Sequence, residues 1–293
     1  MTKVLFLYNP QSGQQKIRSQ LWGILNTFSL ADYDLRIRAL IKNTDAAQLV
    51  ENLKDEYDMV VCSGGDGTLN RVVNGMMRLK KEERKPIGYI PAGSTNDFAV
   101  SLKIPKDMQK AAQNVVLYPG KRFDIGCFNN DYFVYVAAFG AFTEVSFQTE
   151  QGLKNALGHL AYIVSGVRSL SSIKPYHMRI RTEEKNYDGD YFFGMITNSL
   201  SVGGIYRFDE KEVEMDDGLF EVTLIHMPKS LAELQEMGQN LFTADPMVET
   251  FKTDHIWLEA DEKIPWALDG EDGNAPEKVE IRVARRAVEI ITE

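Results

Sequence analysis

Residues 59–70 read Met-Val-Val-Cys-Ser-Gly-Gly-Asp-Gly-Thr-Leu-Asn. Met59 to Cys62 is a short apolar run of the length expected of a buried strand. From Thr68 to Lys80, Leu69, Val72, Val73 and Met76 recur at helical spacing. The stretch is therefore a strand, a glycine turn and a helix in immediate succession. A loop that opens a helix offers free N–H groups and a favourable dipole to an anion. Glycines let such a backbone approach closely and take positive φ. Asp66 or Thr68 as a simple helix cap would explain one loop of this kind equally well.

Two further loops of the same character weaken that simpler explanation. Lys3 to Tyr8 is strand-like and runs into Asn9-Pro10-Gln11-Ser12-Gly13. Ile87 to Ile90 is strand-like and runs into Pro91-Ala92-Gly93-Ser94-Thr95-Asn96-Asp97. Between them lie a helical pattern over Gln15 to Phe28, a strand over Asp34 to Ile41 and a helix over Asp45 to Glu56. Strands alternating with helices imply βαβ units and a parallel sheet. Ligands of open α/β sheets bind outside the carboxyl ends of the strands. Neither familiar phosphate motif is present: there is no GxxxxGK[ST], and Asn70 stands where GxGxxG needs its last glycine.

After Pro119-Gly120 the pattern becomes mainly β. Strand candidates are Phe123 to Cys127, Tyr132 to Ala138, Tyr176 to Arg181, Tyr191 to Thr197, Leu219 to His226, His255 to Glu259 and Val279 to Ala284. Helical patterns over Gly152 to Leu170 and Ser230 to Phe242 interrupt them. The reading is an α/β first domain with a parallel sheet, residues 1–122, rejoined by 283–293, and a β-rich sandwich domain, residues 123–282.

The 293 residues carry a formal net charge of -9 with 44% hydrophobic and 26% charged residues. That is an ordinary globular balance. It argues against nonspecific nucleic-acid binding, which rests on phosphate neutralisation. Cys62 and Cys127 read as buried reduced thiols, which points to a cytoplasmic setting. The first residues read as a core strand and not as a signal peptide. Tyr132 to Phe142 is the longest apolar run, too short for the roughly 20 residues of a membrane span. His159, His177, His226 and His255 show no metal spacing.

The motif set NPQSG at 9–13, GGDGTLN at 64–70, PAGSTNDFA at 91–99, DDGLFEV at 216–222 and LDGE at 268–271 resembles the diacylglycerol kinase catalytic-domain family, in particular its soluble bacterial lipid kinases. The resemblance implies ATP and Mg²⁺ as cofactors and phosphoryl transfer to a lipid hydroxyl at a membrane surface. Diacylglycerol or a related glycerolipid is the first choice of acceptor, in phospholipid metabolism. It implies a nucleotide site at Asn9, Ser12, Gly64, Gly65, Asp66, Gly67, Thr68, Leu69, Asn70, Arg71 and Thr95, with Asp66 and Asp97 connected to the catalytic magnesium. It also implies a structural magnesium on the Asp217 side chain and the carbonyls of Glu214 and Leu219. The chain departs from the family at Arg71, where a Glu is usual, and near Leu40, where a Thr is usual. GGDGT is shared with NAD kinases, and a regulatory protein that binds ATP without transferring phosphate is the rival of another class. A homodimer is left open.

The remaining carboxylates lie in Leu268-Asp269-Gly270-Glu271. In an extended segment, residues i and i+2 face the same way, so Asp269 and Glu271 are expected to project together. A nearby cation would relieve their mutual repulsion. The resemblance assigns Glu271 as the proton acceptor and Asp269 as its partner.

Overall fold

The computed structural model describes residues 1–15, 17–42, 44–93, 96–140, 174–202, 206–207, 213–230, 233 and 247–293. The helix expected at Gly152 to Leu170 lies outside the described residues, as does most of that at Ser230 to Phe242. The chain divides into two compact units, Met1–Ile125 with Arg285–Glu293, and Gly126–Ala284.

The first unit is β1 (Thr2–Tyr8), α1 (Ile17–Leu30), β2 (Tyr33–Ala39), α2 (Ala46–Asn52), β3 (Met59–Gly64), α3 (Asp66–Arg78), β4 (Ile87–Pro91), α4 (Asp97–Ser101) and α5 (Met108–Leu117). The strands lie in the order β4-β3-β1-β2 and every pair is parallel. β3 and β4 read as unbroken apolar runs because both faces of a parallel sheet are covered. The face of α3 predicted from spacing is the buried one: Leu69, Val72, Val73 and Met76 are all fully or nearly fully buried. Gly75 lets α2 pack closely on α3, since a Cβ there would come 2.7 Å from the Ala47 carbonyl oxygen. The Asp45 carboxylate caps α2 by accepting the Ala47 N–H at 2.9 Å. The helix stops at Asn52, short of the expected Glu56.

Chain order continues with β5 (Gly120–Phe128), β6 (Asp131–Phe133), β7 (Val136–Gly140), β8 (Tyr176–Thr182), β9 (Asn186–Thr197), β10 (Ser201–Val202), β11 (Tyr206–Arg207), β12 (Phe220–His226), β13 (Val248–Thr253), β14 (His255–Ala260), β15 (Trp266–Leu268), β16 (Glu271–Asp272) and β17 (Lys278–Ile291). In the second unit β7, β8, β9, β12, β13, β14 and β15 pair antiparallel with their neighbours. Its core centres on Trp266, whose ring lies 4.9 Å from Phe139 and 5.0 Å from Phe128, centroid to centroid. Among the described residues no helix is long and apolar enough to cross a membrane.

β17 belongs to both units. Lys278–Arg282 pairs antiparallel with β14, while Ile290 pairs parallel with Ile87 of β4. The Thr292 hydroxyl donates to the Leu102 carbonyl at 2.8 Å. The C-terminal residues therefore complete the first unit. Ile290→Ala should cost that unit about 2–5 kcal/mol. Hydrogen exchange will read this as early loss of protection in the β4 amides while those of β8 and β9 keep theirs.

Candidate functional site

β1, β3 and β4 are adjacent and parallel, so their three loops leave the sheet on one edge. The loops are tied to one another through backbone. Asn9 N–H donates to the Ser63 carbonyl at 2.9 Å, and Ala92 N–H donates to the Gly64 carbonyl at 2.7 Å. Gly13 has φ +55°, and a Cβ there would collide with the Ala92 carbonyl. A Cβ on Gly93 would lie 2.6 Å from Gly65 Cα. These glycines are required by close approach as much as by conformation. Within the first loop, the Asn9 side chain accepts the Gln11 N–H at 3.0 Å and its carbonyl accepts the Ser12 N–H at 3.3 Å.

The second loop opens α3 with Gly65 as N-cap and Asp66 in its first turn. Thr68 N–H donates to the Gly65 carbonyl at 2.9 Å, and the Thr68 side chain fills the space a Gly64 Cβ would need. Asn70 is held by the Asn74 amide, which donates to its carbonyl at 3.0 Å and its side-chain oxygen at 3.1 Å. Leu69 is buried, Gly67 half-buried and Arg71 exposed.

The third loop closes on itself. Asn96, at φ +54°, accepts the Gly93 N–H at 2.9 Å and donates to the Gly93 carbonyl at 2.9 Å. Thr95 lies outside the described residues. Asp97 starts α4, is 1% exposed, and donates its N–H to Asp66 Oδ2 at 3.2 Å. The two aspartates expected to act together are thus joined. Sequence spacing missed α4, which has only five residues. It also missed Tyr89, whose buried hydroxyl donates to the Gly64 carbonyl at 3.3 Å and lies 3.4 Å from Asn96 Oδ1. Burial, helped by the neighbouring Asp66 and Asp97 carboxylates, holds this phenol well above its ordinary range and keeps it protonated.

In the second unit the LDGE expectation needs correction. Leu268 pairs with Glu271, so Asp269 and Gly270 are the central residues of a two-residue hairpin. Their φ values are +52° and +85°, the type I′ pattern favoured by Asp-Gly. The segment is a turn, not an extended strand, and its two acids separate. Glu271 is exposed. Asp269 is 5% exposed, and its carboxylate accepts the N–H groups of Val134 at 2.7 Å, Tyr135 at 2.9 Å and Val136 at 3.0 Å. These bonds also explain why the expected strand Tyr132 to Ala138 is divided into β6 and β7: the intervening N–H groups turn onto the carboxylate.

The Asp217 loop is a Gly turn before β12. Gly218 has φ +84°, and Asp217 Oδ1 accepts the Leu219 N–H at 2.8 Å. The Asp217 carboxylate with the carbonyls of Glu214 and Leu219 is an all-oxygen donor set, which suits Mg²⁺. Among the described residues no three His, Cys, Asp or Glu side chains cluster as metal ligands.

Residues 3–128 match the family model for the diacylglycerol kinase catalytic domain. Residues 136–292 match the YegS C-terminal NAD kinase beta sandwich-like domain. A diacylglycerol kinase of Bacillus subtilis (strain 168) is 32% identical over 279 residues, covering 93% of this chain and 91% of that protein. One of Staphylococcus aureus (strain MRSA252) is 34% identical over 275 residues, covering 91% and 85%. Two Bacillus anthracis structures share the fold at 23% and 24% identity, with TM-scores of 0.85 and 0.79; each comparison covers 100% of this chain and 97% of the other.

The Asp269 contacts predict a stability effect. Asp269→Asn should cost about 1–3 kcal/mol, because an amide keeps one acceptor oxygen for three donors. Asp269→Ala should cost more, since it also strains a left-handed φ. Denaturant unfolding followed by circular dichroism measures both.

Proposed function

The chain belongs to the diacylglycerol kinase catalytic-domain family, and from that premise we propose that it is an ATP-dependent lipid kinase acting on diacylglycerol or a closely related glycerolipid. The observation that carries the reading is the joined loop system at one sheet edge, with Asp97 bonded to Asp66. The N–H groups that open α3 suit phosphate oxygens. Asn9, Ser12, Gly64, Gly65, Gly67, Thr68, Leu69, Asn70 and Arg71 form or flank that cradle, and Thr95 belongs to the same loop set by its place in the sequence.

Asp66 and Asp97 are the residues that would hold the metal of Mg–ATP. Their buried or half-buried carboxylates need a cation nearby. A magnesium ion held there would supply charge neutralisation for the transferred phosphoryl group. Asp217, with the carbonyls of Glu214 and Leu219, would offer a place for a second cation.

Glu271 is the proton acceptor in this reading. The acceptor hydroxyl oxygen forms a bond to the γ-phosphorus, the bond to the bridging oxygen of ADP breaks, and the hydroxyl proton passes to the Glu271 carboxylate. Phosphoryl transfer asks for positioning and charge neutralisation more than for a strong base. Asp269 is a positioning residue: it fixes the hairpin from which Glu271 projects. A cytoplasmic protein that visits a membrane surface during turnover, in phospholipid metabolism, suits this reaction.

Asp66→Asn should abolish transfer while the protein stays folded. Glu271→Gln should lower kcat by about 10²–10⁴-fold with ATP affinity unchanged. Calorimetric ATP binding set against turnover for the Glu271→Gln protein makes the decision. Normal turnover removes Glu271 from the chemistry. Weakened ATP binding with normal single-turnover transfer moves it to the nucleotide site.

A further inference from the structure

The kinase chemistry leaves one charged arrangement of the second unit unused. Just after the Asp216-Asp217-Gly218 turn, β12 places Glu221 directly opposite Lys252 of β13. Lys252 Nζ lies 3.1 Å from Glu221 Oε1 and 3.6 Å from Asp217 Oδ2. Glu221 is 8% exposed. Both of its carboxylate oxygens are buried, and among the described residues neither accepts an aligned hydrogen bond. At 3.1 Å, Lys252 is the cation in contact with the Glu221 carboxylate. Asp217 spends its other oxygen on the Leu219 N–H.

Two carboxylates thus share one ammonium. A buried carboxylate that loses its partner is strongly destabilising. Lys252 supplies that partner from the facing strand, as a point charge on a flexible stem. One of the carboxylates it approaches, Asp217, is also one that a hard divalent cation would take. The two cations cannot both occupy that place.

We propose that Lys252 is the resident counter-ion of the Asp217–Glu221 pair, and that a divalent cation enters this loop only by displacing it. The inference deepens the reading of Asp217 as a metal ligand and concerns the same loop. The second unit then keeps its fold without metal, and the lysine weakens metal binding at the loop.

The test is thermal unfolding of the full chain, free of nucleotide, in EDTA and in millimolar Mg²⁺, together with Mn²⁺ titration of wild type and Lys252→Met. Wild type should unfold at the same temperature in both solutions. Lys252→Met should lose about 5–10 °C in EDTA and recover it in Mg²⁺. It should bind one Mn²⁺ about tenfold more tightly than wild type. If wild type loses stability in EDTA as the variant does, the metal is the resident counter-ion; the inference about Lys252 falls while the metal reading stands. If neither protein responds to either metal, both fall. Should Lys252→Met fail to fold, Glu221→Gln/Lys252→Met decides. A folded, metal-insensitive double variant supports the charge-compensation role, and an unfolded one overturns it.

Discussion

Everything proposed for the first unit depends on the close approach of two backbones. Gly65 and Gly93 stand on neighbouring strand ends, and a single Cβ on Gly93 would lie 2.6 Å from Gly65 Cα. That approach lets the Ala92 N–H reach the Gly64 carbonyl and the Asp97 N–H reach Asp66. Gly13 is pressed against the Ala92 carbonyl in the same way. Three loops that look independent in the sequence are tied to one another through these backbone contacts. Preorganisation of this kind is where phosphoryl-transfer enzymes gain most, since little covalent chemistry is asked of the protein.

The second unit solves a different problem with similar means. A tight hairpin must be closed between β15 and β16. Asp-Gly at its tip takes two positive φ values, and the Asp269 carboxylate is spent on three backbone N–H groups. An acid that reads as a second catalytic carboxylate is thereby committed to the architecture. The exchange is reciprocal: Asp269 shapes the hairpin and also separates β6 from β7. Change at this one residue affects both the pairing of strands and the presentation of Glu271.

Much of the fold was legible because short-range pattern determined it. The helical spacing of Leu69, Val72, Val73 and Met76 identified the buried face of α3, and alternation of strands and helices identified the parallel sheet. The grouping of the three loops followed from their places at strand ends. Contacts distant in sequence were not legible. Asp269 meets Val134, Tyr135 and Val136, and no local signal announces it. Reading LDGE as extended overlooked that Asp-Gly is itself a strong hairpin signal. The Tyr89 ring is core, and only its hydroxyl reaches the Gly64 carbonyl, a contact no local pattern marks. Lys252 lies on a strand that periodicity did not identify, opposite a glutamate whose burial depends on the assembled sheet.

The central claim is that this cradle binds ATP in order to phosphorylate a lipid. It is tested most directly by incubating the purified chain with γ-labelled ATP, Mg²⁺ and a panel of acceptors: diacylglycerol, phosphatidylglycerol, a sphingoid base and a polyprenol in mixed micelles, with NAD in solution. Label is expected in a phosphorylated glycerolipid, above all that from diacylglycerol, and none in NAD. Label in NAD, or ATP binding with no labelled acceptor from any member of the panel, would contradict it.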